Sequence, residues 1–108
     1  MVYSNELKTK FADVPASLIS KHGAVSREVA AALAEGIRKR CKATLAIGIT
    51  GVAGPLGGTE EKPVGLVYNA LASEDGTQVE ERKFPGDRKR VRWFATQLAL
   101  DMVRRKLM

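Results

Sequence analysis

Glycine and proline are concentrated in one stretch of the sequence, Gly48 to Gly65, which reads GITGVAGPLGGTEEKPVG. Apolar runs of strand length lie on both sides of it. Glycine allows the backbone to adopt positive φ and to approach a ligand closely, and proline fixes φ. The N–H groups of such a loop can form a concave site that binds anions. The stretch therefore indicates either an anion-binding loop or an ordinary turn between two strands, which is the commoner role of such segments.

General motifs do not identify a ligand for this loop. A P-loop requires a Gly-Lys pair, which is absent from the stretch, and the dinucleotide pattern G-x-G-x-x-G is absent as well. His22 and Cys41 are the only histidine and the only cysteine. We therefore expect neither a structural zinc site nor a Ser-His-Asp triad within the chain. Glu60 and Glu61 are adjacent, and adjacent side chains point apart in an extended segment.

Four segments together resemble the CinA C-terminal domain family. The loop carries the resemblance from Thr50 to Gly65, and the other three segments are Tyr3–Lys8 (YSNELK), His22–Ser26 (HGAVS) and Gly86–Arg92 (GDRKRVR). They follow the family's order and are spread over the whole chain. Active members of that family are nicotinamide-nucleotide amidases. The resemblance implies hydrolysis of nicotinamide mononucleotide to nicotinate mononucleotide and ammonia, with no cofactor.

The resemblance also implies a set of site residues. Tyr3 and Lys8 match, in type and spacing, the residues that the family places beside its nucleophile. A desolvated lysine can act as a general base and a tyrosine hydroxyl can relay a proton. From the residues alone, a packed aromatic ring and a solvated helix charge are the commoner roles of such a pair. The implied substrate-binding residues, which would hold the phosphate and ribose, are Thr50, Gly51, Gly54, Pro55, Gly57, Gly58, Thr59, Lys62, Arg88 and Arg92.

One motif of the family is not found in these 108 residues. Family members carry an E-S-C-T-G-G-like segment upstream of the Tyr-Ser-Asn segment, and its serine is the expected nucleophile. Here Met1 lies just before Tyr3, so we expect the family's first strand and helix to be missing and the domain to be incomplete at its N-terminus. Hydrolysis by this chain is then expected to be absent or weak. The alternative is a non-catalytic nucleotide-binding or assembly module.

Composition favours a single domain over residues 1–108. The 44% apolar and 28% charged content is ordinary for a soluble globular protein. No apolar run approaches the roughly 20 residues that span a bilayer, and the N-terminus has no apolar signal region. A lone cysteine, Cys41, excludes an internal disulfide and fits a reducing compartment. We expect a cytoplasmic protein that does not bind membranes.

The net charge of +6 arises largely from two clusters: Arg38, Lys39 and Arg40 with Lys42, and Arg88, Lys89, Arg90 and Arg92 with Arg104, Arg105 and Lys106. Basic clusters can attract nucleic acid or a phosphorylated small molecule. No aromatic residues alternate with these cations to stack on bases. Solvated helix faces are therefore the favoured interpretation, and nucleic-acid binding, which would weaken steeply with salt, ranks last.

Hydrophobic periodicity and capping residues predict four helices. Short helices are expected over Asn5–Phe11 and, after Pro15, over Ala16–Lys21. A longer helix should run from Arg27 to about Cys41 with Ser26 as its N-cap. A fourth should run from Gly86-Asp87 to about Lys106. The predicted buried stripes of the two long helices are Val29, Leu33, Ile37 and Cys41, and Val91, Phe94, Ala95, Leu98 and Met102, with Trp93 off the second stripe.

Apolar runs over Thr44–Ile49 and Val64–Ser73 predict strands buried on both faces. A turn at Glu74–Thr77 should lead into an antiparallel edge strand over Gln78–Phe84, and Val2–Tyr3 resembles a strand end. These elements predict an α/β fold with three α/β/α layers and a mixed sheet, which is also the family's fold. With its leading strand and helix missing, the chain is expected to self-associate as a homo-oligomer or to be marginally stable.

Overall fold

The computed structural model describes residues 15–52 and 63–107. The three helices are α1 (Ala16–His22), α2 (Arg27–Cys41) and α3 (Arg88–Leu107), and the three strands are β1 (Ala46–Gly51), β2 (Leu66–Ser73) and β3 (Gly76–Lys83). They follow one another as α1-α2-β1-β2-β3-α3, which confirms the α/β class. The helix predicted over Asn5–Phe11 and the strand end at Val2–Tyr3 lie outside the described residues.

The sheet has the order β1-β2-β3, and both pairs are antiparallel. Ala46 pairs with Ala72 in the first pair, and Ser73 pairs with Gly76 at the hairpin turn of the second. The mixed sheet was predicted from strands that read as buried on both faces. Within residues 15–52 and 63–107 no parallel pair occurs. Burial on both faces did not decide the strand direction, because helices on both faces bury an antiparallel strand equally well.

The helices lie on opposite faces of the sheet, which confirms the three α/β/α layers. Successive β2 side chains point to opposite faces. Ala70 and Ala72 pack against Ala30 and Ala34 of α2, whereas Val67 packs against Val91 and Ala95 of α3. Asn69, which is fully buried on the α3 face, donates from Nδ2 to the Ala95 carbonyl at 2.9 Å. β2 is therefore the central strand and, as predicted, is buried on both faces.

Helix α2 has the predicted bounds and the predicted cap. The Ser26 Oγ accepts a hydrogen bond from the Val29 N–H at 3.2 Å, so one of the unpaired donors of the first turn is satisfied. Val29 and Leu33 are buried and pack against Ile19 of α1, and Leu33 also lies close to Gly48 of β1, where an added Cβ would be 3.0 Å from the Leu33 Cβ. The prediction that Cys41 continues this stripe was wrong, because the side chain is exposed at the last residue of the helix.

Small side chains let α2 approach the sheet closely. Gly48 of β1 lies directly beneath the helix, where an added Cβ would collide with the Ala30 carbonyl oxygen and lie 2.8 Å from the Ala34 nitrogen. Gly48 and the alanines at positions 30, 34 and 70 let the backbone of α2 contact the backbone of the sheet. Larger residues at these positions would push the helix and the sheet apart. The alanines of α2 thus determine the spacing between the first two layers.

Among the described residues, strand β1 is buried on one face and only partly covered on the other, which corrects the prediction that it is buried on both. Ala46, Gly48 and Thr50 are buried toward α2, whereas Ile49, on the other face, is 39% exposed. Helix α3 packs over β2 and is joined to β3 by an ion pair between Arg105 and Glu80, with a nitrogen–oxygen distance of 2.8 Å. Helix α3 therefore lies toward β3, and the face of β1 that bears Ile49 is left partly open.

Helix α3 begins after Asp87, whose carboxylate accepts from the Arg90 N–H at 2.9 Å. Val91, Ala95, Ala99 and Met102 are buried against the sheet. Of the predicted stripe, Phe94 and Leu98 are only partly buried, and the Phe94 ring stacks on Phe84 with ring centroids 5.4 Å apart. Trp93 lies off the buried face, as predicted, and is 58% exposed.

Candidate functional site

The glycine-rich stretch connects β1 to β2 at one end of the sheet, which we call the loop end. The chain is closed there by backbone hydrogen bonds. The Val52 N–H donates to the Leu66 carbonyl at 2.9 Å, and the Gly65 N–H donates to the Val52 carbonyl at 2.6 Å. The stretch between these residues is therefore anchored at both ends, although its central part, residues 53–62, lies outside the described residues.

Gly65 is required where the loop returns to the sheet. Its φ is +97°, a conformation that non-glycine residues rarely adopt. A Cβ at this position would also collide with the Phe84 carbonyl oxygen. The Phe84 N–H donates to the Gly65 carbonyl at 2.9 Å, so this glycine joins the loop to the segment that leads into α3.

Thr50 and Gly51 form the last part of β1 before the loop. The Thr50 side chain is 6% exposed, and its Oγ1 donates to the Ala24 carbonyl at 2.6 Å. This hydrogen bond ties the loop end to the turn between α1 and α2. The Thr50 proton is therefore directed into the protein. At the exposed Gly51, a Cβ would lie 2.9 Å from the Leu66 carbonyl oxygen, so the two strands are in close contact there.

Both long helices begin at the loop end. Ala24, just before α2, contacts Thr50 at the end of β1, and Val91, in the first turn of α3, packs on Val67 at the start of β2. The N-terminus of a helix carries a partial positive charge, and its free N–H groups bind anions. Arg88 and Arg92, both exposed, add cations to the first two turns of α3. The loop end therefore combines several sources of positive potential.

The structure places four of the predicted site residues at this end of the sheet. They are Thr50, Gly51, Arg88 and Arg92. The remaining ones lie outside the described residues, so their positions stay predictions: Tyr3, Lys8, Gly54, Pro55, Gly57, Gly58, Thr59 and Lys62. The arrangement is one that can attract an anionic group, and the described part of the chain contains no cluster of His, Cys, Asp and Glu that could hold a metal ion.

Sequence reasoning did not single out Tyr68, which lies beside Thr50. The two residues are paired across β1 and β2, and Glu81 pairs with Tyr68 from β3. The pKa of the Tyr68 hydroxyl is raised, first because burial disfavours the phenolate and then because it hydrogen-bonds to the Glu81 carboxylate. A tyrosine inside an apolar run was predicted only as part of the core. Its register opposite Thr50 was needed to place it near the loop end.

A shallow depression of about 170 Å³ lies at the opposite end of the molecule, around the β2–β3 hairpin. Its charged groups are Asp75 and Lys106, which form an ion pair at 2.8 Å. That pair lowers the pKa of the Asp75 carboxyl, chiefly through the hydrogen bond from Lys106. With its charges paired, this depression is a weaker candidate for ligand binding than the loop end.

Comparison with known proteins identifies the family. The family model described as the CinA C-terminal domain matches residues 1–107. This chain belongs to the CinA C-terminal domain family. It is 64% identical over 107 residues to a CinA-like protein of Koribacter versatilis and 61% identical over 108 residues to a CinA-like protein of Acidobacterium capsulatum. These matches cover 99% and 100% of this chain but only 26% of each relative, so the chain spans about a quarter of their length.

Solved structures of CinA proteins share this fold. A competence/damage inducible protein from Agrobacterium tumefaciens matches with a TM-score of 0.91 and 36% identity, over 94% of this chain and 63% of that protein. A CinA superfamily protein from Escherichia coli matches with a TM-score of 0.88 and 32% identity, over 94% of this chain and 59% of that protein. Among the described helices of the present CinA domain, none combines the length and apolar character needed to cross a membrane.

Proposed function

We propose that the loop end of this CinA-family domain binds the phosphate of nicotinamide mononucleotide. The observation that carries the proposal is the convergence, at one end of the sheet, of the anchored glycine-rich loop and the N-termini of α2 and α3. Backbone N–H groups at such termini and the guanidinium groups of Arg88 and Arg92 are suitable partners for a phosphate. The Thr50 hydroxyl donates to the Ala24 carbonyl and so holds the end of β1, where the loop begins, against the turn before α2.

The reaction that we propose for the complete site is hydrolysis of the nicotinamide amide. Water replaces the amide nitrogen, and the products are nicotinate mononucleotide and ammonia. Tyr3 and Lys8 are the proposed proton-transfer residues, with Lys8 as the base that activates a serine nucleophile. The 108 residues contain no E-S-C-T-G-G-like segment. We therefore expect a polypeptide of these residues alone to bind the nucleotide with little or no turnover, as a non-catalytic nucleotide-binding module would.

Calorimetric titration with nicotinamide mononucleotide tests the binding step. We expect saturable binding that Arg88→Ala weakens by about tenfold or more, because a hydrogen bond to a charged group contributes about 1.5–3 kcal/mol. Arg40→Ala is the matched control, since Arg40 is an exposed arginine in the last turn of α2, remote from the loop end. Equal affinities of the two variants would contradict the proposed phosphate site.

Ammonia release by the same preparation tests the catalytic step. No release from a folded chain that binds the nucleotide fits a site whose nucleophile lies outside these residues. Release that Lys8→Ala abolishes would show that another residue or another subunit supplies the nucleophile, and it would contradict our expectation of little turnover. If the folded chain shows no binding of nicotinamide mononucleotide and no release of ammonia, the assignment of this nucleotide as the ligand is wrong.

A further inference from the structure

Helix α3 has apolar side chains on two opposite sides. The outer side carries three large residues that are spaced by seven, so that they lie on one line along the helix, and that are more than half exposed: Trp93, Leu100 and Leu107. The side that packs on the sheet carries mostly smaller residues: Val91, Ala95, Ala99 and Met102. The hydrophobic effect is not directional. Apolar burial by itself therefore does not determine which side of α3 faces the sheet.

One polar side chain of the sheet lies beneath the buried side of α3. Asn69, in the middle of the central strand β2, is fully buried. Its Nδ2 donates to the Ala95 carbonyl at 2.9 Å. Among the described residues, no donor reaches its Oδ1. Burying an amide costs free energy that hydrogen bonds must offset, so the bond to Ala95 is the contact on which this side chain depends.

The hydrogen bond to Ala95 requires the backbone of α3 to lie close to the sheet. The small side chain of Ala95 permits this approach and packs on Val67 of β2. If α3 turned about its axis, Trp93 and Leu100 would face β2 and hold the helix backbone farther away. The Asn69 amide would then be covered by apolar atoms and would lose its acceptor. A buried amide without a partner is unfavourable, so Asn69 disfavours the turned arrangement.

Two ion pairs also join α3 to the rest of the fold, both near the C-terminal end of the helix. Arg105 pairs with Glu80, and Lys106 pairs with Asp75, each at 2.8 Å. The Arg105 and Asp75 side chains are 44% and 81% exposed, and exposed ion pairs contribute little to stability. Glu80 also pairs with Arg82, so it does not depend on α3 for a partner. These pairs therefore distinguish the two sides of α3 less than the buried amide does.

We propose that Asn69 determines which side of α3 faces the sheet. Its amide selects the arrangement that brings a helix carbonyl within hydrogen-bonding distance, and that arrangement places the Ala95 side inward. The exposure of Trp93, Leu100 and Leu107 then follows from a residue of the sheet, and nothing has to cover the outer side of the helix. This role of Asn69 does not depend on the proposed nucleotide binding.

The fluorescence of Trp93 tests this role, because Trp93 is the only tryptophan of the chain. Asn69→Leu keeps the number and branching of the side-chain heavy atoms but removes the donor. In the unmodified chain we expect the emission of an exposed indole that acrylamide quenches readily. In Asn69→Leu, molecules that turn Trp93 toward the sheet should shift the emission to the blue and reduce the quenching. Unfolding of the variant would instead expose Trp93 further and shift the emission to the red.

A second variant and two controls assign the shift to the amide. Asn69→Ala removes the amide without adding bulk, and it should shift the emission in the same direction as Asn69→Leu. Met102→Leu alters the buried side of α3 without removing a polar contact, and Arg105→Gln removes an ion pair between α3 and β3. Both controls should leave the emission unchanged. Circular dichroism verifies that each variant is folded.

The side of α3 that faces the sheet also directs its cations, a consequence that rests on the proposed function. Arg88 and Arg92 belong to the same helix as Ala95, so turning the helix changes the direction in which both guanidinium groups point. Asn69→Leu should therefore weaken binding of nicotinamide mononucleotide, whereas Met102→Leu should not. If the unmodified chain binds no nucleotide, the proposed phosphate site is wrong, and the fluorescence of Trp93 still decides the role of Asn69.

Four fluorescence results would overturn the proposal. The first is an unchanged emission in both Asn69 variants, and the second is a red shift in both, which would make Asn69 a requirement for folding and not for the choice of side. The third is an equal blue shift in Arg105→Gln and Asn69→Leu, which would assign the choice to the ion pairs. The fourth is a blue shift that appears only as the protein concentration rises, which would assign the burial of Trp93 to association between copies of the chain.

Discussion

At several positions of this domain, close contacts with neighbouring backbone restrict the residue type as strongly as the chemistry of the side chain does. Gly48 illustrates this point, because α2 lies directly over it. We predict that Gly48→Ala lowers the free energy of unfolding by roughly 1–3 kcal/mol, the usual effect of overpacking a well-packed contact. The added methyl group must push α2 away from β1 or distort the strand. Urea-induced unfolding followed by circular dichroism measures the change.

The neighbouring residue provides the control for this substitution. Ile49→Ala removes side-chain atoms from the partly open face of β1. It should therefore lower the free energy of unfolding by less than Gly48→Ala, which adds a methyl group to a close contact. If Gly48→Ala proved as stable as the unmodified chain, α2 would have to lie farther from the sheet than the structure places it.

Thr50 is the second residue whose role can be isolated. Its hydroxyl is the donor for the Ala24 carbonyl at 2.6 Å. Thr50→Val has nearly the same shape but leaves that carbonyl without its donor, so we predict a loss of about 1–3 kcal/mol in the free energy of unfolding. Thr50→Ser retains the hydroxyl and should lose less. Equal stability of the valine and serine variants would show that the hydrogen bond does not hold the loop end.

At the scale of elements, local signals predicted the helices better than the strands. Ser26 marked the start of α2 because a serine before an apolar-periodic segment is a strong N-cap signal, and the structure confirms the cap. The sequence placed the first strand over 44–49, but β1 covers Ala46–Gly51. Strand bounds depend on register with a neighbour, and the pairing of Gly51 with Val67 is a long-range contact that no local pattern contains.

For the candidate site, the sequence predicted which residue types are present but not how their side chains are oriented. The glycines of the loop and the cations of α3 could be found from residue type and order, and the structure places Arg88 and Arg92 at the loop end. The inward hydrogen bond of Thr50 and the position of Tyr68 could not be found in that way. Both depend on which face of its strand a side chain occupies and on what packs against that face.

The cross-strand pair of Tyr68 and Glu81 gives a prediction about pH. Burial and the hydrogen bond to the carboxylate raise the pKa of Tyr68 above its usual 10.0. Because the folded state holds this proton more tightly than the unfolded state, the contribution to stability is present below pH 10 and is lost as pH rises through the folded pKa. Glu81→Gln removes the second cause, so the pKa of Tyr68 should fall toward its usual value.

Phenolate absorbance measures this titration, and a Tyr3→Phe background leaves Tyr68 as the only tyrosine. Glu74→Gln is the control, since Glu74 is an exposed glutamate at the hairpin turn and should leave the titration unchanged. A Tyr68 pKa that does not respond to Glu81→Gln would mean that burial alone holds the proton.

Across the whole molecule, the two faces of the sheet are not covered equally. Helix α2 contacts β1 and β2 through small residues, whereas α3 lies over β2 and toward β3. Both edges of the three-stranded sheet are free within the described residues, but they differ in character. β3 carries Glu80, Glu81, Arg82 and Lys83, and such charges prevent pairing with other chains. β1 (AIGITG) has no charged residue.

We therefore predict that a polypeptide of these 108 residues self-associates through β1. An uncharged edge strand with an exposed isoleucine is a template for pairing with another chain. Sedimentation velocity should show an average mass above the monomer value of 11.7 kDa that rises with concentration. Ile49→Lys should return the average mass toward the monomer, because a lysine at this edge opposes strand pairing, whereas Leu100→Gln, at an exposed position of α3, should not. A monodisperse monomer that unfolds cooperatively at every concentration would show instead that the edge of β1 is already protected within the chain.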